Sequence, residues 1–91
     1  MKPATKRTLK TDLKMLDLNI RHWRLLGSQD AKVGDREMAE QYEADAKNLE
    51  AVRDAVAKED FDSARSLIDA LDTIVRDQIP IRLYYTLFPE R

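Results

Sequence analysis

From Leu9 onward, one helical segment carries two lines of apolar residues. At about 100° per residue, Leu9, Leu13, Leu16, Ile20 and Trp23 fall on one heptad-spaced line. Met15, Leu18, Leu25 and Leu26, with His22 among them, fall on nearly the opposite side. A helix with one buried face needs one stripe. Two stripes call for neighbours on two sides, and that restricts the chain to packed helices, supplied by its own later segments or by a second copy.

The rest of the chain fits an all-α fold, an antiparallel three-helix bundle. Glycine and proline total five in 91 residues, too few for a sandwich or a barrel. Helix 1 is expected over about 5–26, ending at Gly27 as a left-handed C′ residue. Arg21, His22 and Arg24 lie near its negative end. The linker GSQDAKVGD holds both glycines. Helix 2 is expected over about 35–58, with Asp35 as N-cap and a narrow stripe of Met38, Tyr42, Asp45, Leu49, Val52 and Val56. Helix 3 is expected over about 60–79, with Asp60 as N-cap and a broad stripe running from Phe61 through Leu67, Ile68, Leu71, Ile74 and Val75 to Ile79. Pro80 breaks it. Residues 1–91 read as a single helical domain, small enough that dimerisation is a common remedy for a thin core.

The C-terminal segment, 80–91, is dense in apolar side chains: Ile81, Leu83, Tyr84, Tyr85, Leu87 and Phe88. Helical spacing groups Ile81, Tyr84, Tyr85 and Phe88, whereas strand alternation groups Ile81, Leu83, Tyr85 and Leu87, so periodicity leaves both open. The segment must be covered, first by its own bundle and in part by a partner.

Charge is sorted along the chain although the net is −1. Met1 to Gly27 has seven Lys/Arg against two acids, and Ser28 to Asp72 has six against thirteen. This favours antiparallel packing of the two stretches and leaves room for an anionic partner. Lys6, Arg7, Lys10, Lys14, Arg21 and Arg24 share one arc, interrupted by Asp17. The arc has no interleaved aromatics for base stacking and no amide side chain suited to reading bases.

No site for catalysis, metal or cofactor emerges. There is no cysteine, which removes thiolate chemistry and sits easily with a reducing compartment. His22 is the one histidine, and the position three residues before it holds Asn19, not the acid of a carboxylate–histidine metal motif. Asp45, mid-stripe on helix 2, needs a partner or water, with Gln78 or a tyrosine hydroxyl as candidates. The basic start MKPATKRTLK leads into no apolar h-region, and no stretch has the length of a membrane span. The expectation is a cytoplasmic, non-enzymatic interaction or regulatory protein that binds a protein partner, as a homodimer. Its interface residues would be Met15, Leu18, Leu25, Tyr84, Tyr85, Leu87 and Phe88. The alternative is a nucleic-acid-associated regulator acting through the basic arc of helix 1.

Overall fold

The computed structural model describes residues 6–91. Thr5, the expected first residue of helix 1, lies outside that range. Among the described residues all regular structure is helical: α1 (Lys6–Lys32), α2 (Arg36–Ala57), α3 (Phe61–Asp69), α4 (Thr73–Arg76) and α5 (Ile81–Leu87). None of these helices is long and apolar enough to cross a membrane.

Helices α1 and α2 form an antiparallel hairpin. Helix α1 does not stop at Gly27; it continues for more than another turn. Gly27 is instead buried where the two helices touch. A Cβ there would lie 2.9 Å from the Cβ of Tyr42 and 3.4 Å from the carbonyl oxygen of Ala39, so the missing side chain serves close helix approach. The turn belongs to Gly34, whose φ is +86°. The N–H of Asp35 donates to the Asp30 carbonyl at 2.9 Å and that of Gly34 to Ala31 at 3.2 Å, the paired bonds of a Schellman ending. Asp35 then caps α2, its carboxylate accepting from the Met38 N–H at 3.2 Å.

The same ending recurs after α2 with a less suitable residue. Asp60 N–H donates to the Ala55 carbonyl at 2.8 Å and Glu59 N–H to Val56 at 3.0 Å. Glu59 occupies the left-handed position at φ 59°. Asp60 caps α3 through the Ser63 N–H at 3.3 Å.

The single third helix expected over 60–79 is broken. Asp72 is extended, with ψ 155°, and takes the N-cap position of α4, in which Thr73, Ile74 and Val75 are themselves helical. The Leu71 carbonyl freed by the break accepts from the Arg76 guanidinium at 2.9 Å. Val75 and Ile79 stay in the core, but Ile74, expected to share that stripe, is 70% exposed. After Pro80 the chain resumes as α5, so the helical alternative for the C-terminal segment is the one adopted.

The core is built from Leu16, Ile20, Leu49, Val52, Val56, Ala64 and Ile68, closed by Leu83, Leu87 and Phe88. Asp12 is buried beside it and only 2% exposed. Arg82 holds it with two parallel bonds, Nε to Oδ2 at 3.1 Å and a terminal nitrogen to Oδ1 at 2.8 Å. The same nitrogen donates to the Thr8 carbonyl at 3.3 Å. Two turns further along α1 from Asp12, the Asn19 amide donates to the Gln78 carbonyl at 2.8 Å. The end of the chain is tied to α3 by Arg91, which donates to Asp69 at 2.8 Å and to the Tyr84 hydroxyl at 3.3 Å, and lies 4.0 Å over the Phe88 ring.

Two tests follow from this packing. Glu59→Gly removes the side-chain strain of a left-handed residue and should raise stability by about 0.5–1 kcal/mol in urea denaturation. Arg82→Met strands the Asp12 carboxylate and should lower the melting temperature markedly. The double change Asp12→Leu with Arg82→Met should recover much of that loss, because no unpaired charge remains buried. A double variant no more stable than Arg82→Met would show that the loss does not come from a stranded carboxylate.

Candidate docking site

Helices α3 and α4 cover the α1–α2 hairpin only as far as the level of Trp23 and Tyr42. The hairpin runs on beyond them towards Gly34. The step leaves a groove of about 240 Å³. Its floor is Trp23 from α1, Tyr42 from α2 and Val75 from α4; Met38 and Ile74 stand at its sides. Trp23 and Tyr42 meet edge to face, with ring centroids 5.1 Å apart. Trp23 is 8% exposed, and its buried indole N–H has no hydrogen-bond acceptor among the described residues.

Gln41, Asp45 and Asp72 complete the lining. Asp45 is half-buried and accepts from the Gln41 amide at 3.0 Å; it meets neither Gln78 nor a tyrosine. Gln78 turns its own amide towards the Ile74 carbonyl. Asp72 occupies the N-cap position of α4 without making a capping bond through its side chain. Neither carboxylate is in an ion pair among the described residues. The groove therefore combines an apolar, aromatic floor with two uncompensated negative charges.

A second apolar surface lies on the outer side of α1. Met15, Leu18 and Leu25 are all about half exposed or more, Leu18 at 60% and Leu25 at 54%. The expected interface divides here. These three residues and Tyr85 are on the surface, and Tyr84 is half-buried. Leu87 and Phe88 are each about 2% exposed and belong to the protein's own core. A second depression, of about 500 Å³, lies between α4 and α5, with Arg76, Asp77, Ile81 and Tyr85 among its lining.

The basic arc is also thinner than its sequence. Lys6, Arg7, Lys10, Lys14 and Arg21 are exposed and form no ion pair among the described residues. Arg24 is turned onto α2, where it binds both Glu43, at 3.3 Å, and Glu50. The hydrogen bond from Arg24 holds the Glu50 carboxyl below its usual range. Asp17, the acid that interrupts the arc, pairs with Arg53 at 3.5 Å. His22 is exposed, and no group of three or more candidate ligands is gathered around a metal position among the described residues.

The groove was hidden from sequence reading because it exists only where the third layer breaks. The stretch Asp72-Thr-Ile-Val was the available signal. For Asp12 the signal was Arg82, a lone charge in an apolar run. Compared with known proteins, the chain matches no family model, no curated protein and no solved structure.

The two surfaces should respond differently to truncation. Leu25→Ser should change unfolding free energy by less than about 0.5 kcal/mol, since the side chain is already in water. Leu87→Ala should cost about 2–5 kcal/mol. Equal losses in urea denaturation would mean that Leu25 is covered in the folded protein.

Proposed function

We propose that this protein is a non-enzymatic interaction module. Its three-layered antiparallel helical body, with the third arm broken, takes up a basic amphipathic segment of a protein partner in the groove beside Trp23. The observation that carries this reading is the union of an aromatic floor with the two unpaired carboxylates of Asp45 and Asp72. An apolar anchor side chain would bury against Trp23, Tyr42 and Ile74, aromatic and aliphatic surface of the kind that dominates binding energy. A Lys or Arg about one turn from the anchor would meet the carboxylates, adding orientation and a faster encounter. A regulatory role follows if the bound segment is thereby withheld from another contact.

Contact with nucleic acid through α1 ranks second. Its support is five exposed cations, but with Arg24 committed to α2 and no aromatic side chain among them, they offer charge without a means of reading bases.

Trp23 is the only tryptophan, so its emission reports on the groove. A synthetic helical peptide of leucine and lysine should shift that emission to the blue and saturate. Its counterpart with glutamate in place of lysine should not. Asp45→Asn with Asp72→Asn should weaken the lysine peptide while leaving the far-UV spectrum intact. Equal response to both peptides, or no effect of the double change, would refute the reading.

A further inference from the structure

The outer face of α1 is a second binding surface, and we infer that it docks the protein on an anionic lipid bilayer, with α1 lying in the plane of the headgroups. At 100° per residue, the core side of α1 is centred between Leu16 and Ile20, and the exposed side opposite spans about 140°. Arg7, Lys10, Lys14, Arg21 and Lys32 occupy one half of that arc, and Met15, Leu18 and Leu25 the other. All eight are exposed, and none of the five cations is in an ion pair among the described residues. Helix α1 contains three acids, Asp12, Asp17 and Asp30, and none falls inside the arc. Asp17 is about 20° beyond its cationic edge, where Arg53 answers its charge at 3.5 Å.

An apolar strip flanked by free cations is the chemistry of a helix that lies on a membrane surface. Leucines enter the boundary between headgroups and acyl chains, and Lys and Arg meet lipid phosphates. A depression of about 280 Å³ on this face is lined by Lys14, Asp17, Leu18 and Arg21, so a phosphate between the two cations would have Leu18 as an apolar wall. The shape fits a plane. Helix α1 has 27 residues, about 40 Å of rise, and runs nearly the whole of the longest dimension of the molecule, 44 Å.

The spacing of the charges favours lipid over an acidic protein. The five cations follow one another at three, four, seven and eleven residues. A rigid partner would need acids at matching irregular intervals, whereas anionic lipids move sideways to meet each cation. A nucleic acid would use the cations and leave the leucines in water. The exposed acids of α2, Glu37, Glu40 and Glu43 among them, are repelled by the same bilayer and help turn α1 towards it. Trp23 lies about 150° round α1 from Leu18 and Leu25, so the docked protein keeps its groove open.

Flotation with lipid vesicles tests the docking. The full chain should float with vesicles of equimolar phosphatidylserine and phosphatidylcholine and not with phosphatidylcholine alone, and salt should release it. Lys14→Glu with Arg21→Glu should weaken binding about tenfold or more. Leu18→Ser with Leu25→Ser should weaken it to a similar degree, which a purely ionic contact would not show. These side chains are already in water, so the far-UV spectrum should be unchanged; if a double variant unfolds, labelled single-cysteine variants decide. The chain has no cysteine, so Leu25→Cys and Glu40→Cys each accept one environment-sensitive dye. The dye at position 25 should shift to the blue on the anionic vesicles, and the dye at position 40 should not. Neither should respond to inorganic phosphate at the same ionic strength. Equal flotation with both vesicles, no flotation with either, binding indifferent to the leucine changes, or a shift at position 40 in place of position 25 would overturn the inference. A dye at position 25 that responds to duplex DNA, or to a helical peptide of leucine and glutamate, but not to the vesicles would overturn it in favour of that occupant.

Discussion

The carboxylate of Asp12 is almost wholly removed from water, and one cation answers it. A buried carboxylate without a partner would be costly or neutral; here the Arg82 guanidinium supplies two aligned bonds and keeps a third for the Thr8 carbonyl. Asp12 is near the start of the described chain and Arg82 near its end. The pair consequently fixes where the last helix lies on the first, and in which rotation. With Arg82 turned to α1, the helical period sends Leu83 and Leu87 inward and Ile81 and Tyr85 outward. The core then receives Leu83, Leu87 and Phe88 from a segment too short to be stable by itself. The choice of ion pair over an apolar contact costs stability if anything, but it specifies one register where leucines alone would tolerate several.

A fixed last helix constrains what precedes it. The chain must pass from the top of α3 to the start of α5 while keeping Leu71, Val75 and Ile79 buried. A straight helix from Asp60 to Ile79 would do this, but Asp72, a residue type suited to an N-cap, is extended and a new helix starts after it. The break that results moves Ile74 out of the core and opens the layer above Trp23 and Tyr42. The groove is therefore a consequence of how the third layer reaches its anchor. Its polar groups without a partner among the described residues, the indole N–H of Trp23 and the carboxylate of Asp72, lie at that break.

Helix starts were legible in the sequence because they depend on neighbours in the chain. Asp35 and Asp60 each sit three residues before the N–H they accept, and both were identifiable from spacing. Helix ends were less so. Gly27 and Gly34 look equally fit to end α1, and only the distance to Tyr42 separates a glycine kept for packing from one kept for its dihedral. Glu59 in a left-handed position gave no compositional sign. The final helix was ambiguous because a seven-residue apolar run satisfies both periods. For the Asp12–Arg82 pair the sequence showed one member, Arg82 as a charge in an apolar run, but nothing local pointed to a partner seventy residues away. Exposure followed the same rule: Met15, Leu18 and Leu25 were legible as a second stripe on one helix and lie on the surface, whereas Leu87 and Phe88 needed the fold to show that they face inward.

The sorting of charge along the chain now has a more specific meaning. A basic first third and an acidic middle favour pairing within the hairpin, but few charges are used that way. Arg24 meets Glu43 and Glu50, and Asp17 meets Arg53; these contacts line one side of the α1–α2 seam. Exposed pairs of this kind contribute little to stability, so hairpin packing by itself does not account for so strong a bias. Lys14 and Arg21 on one side, and Asp45 and Asp72 on another, form no ion pair among the described residues. Both sets border exposed apolar side chains, where charge governs which surfaces approach and in what orientation. Part of the surplus of each sign thus borders exposed apolar side chains.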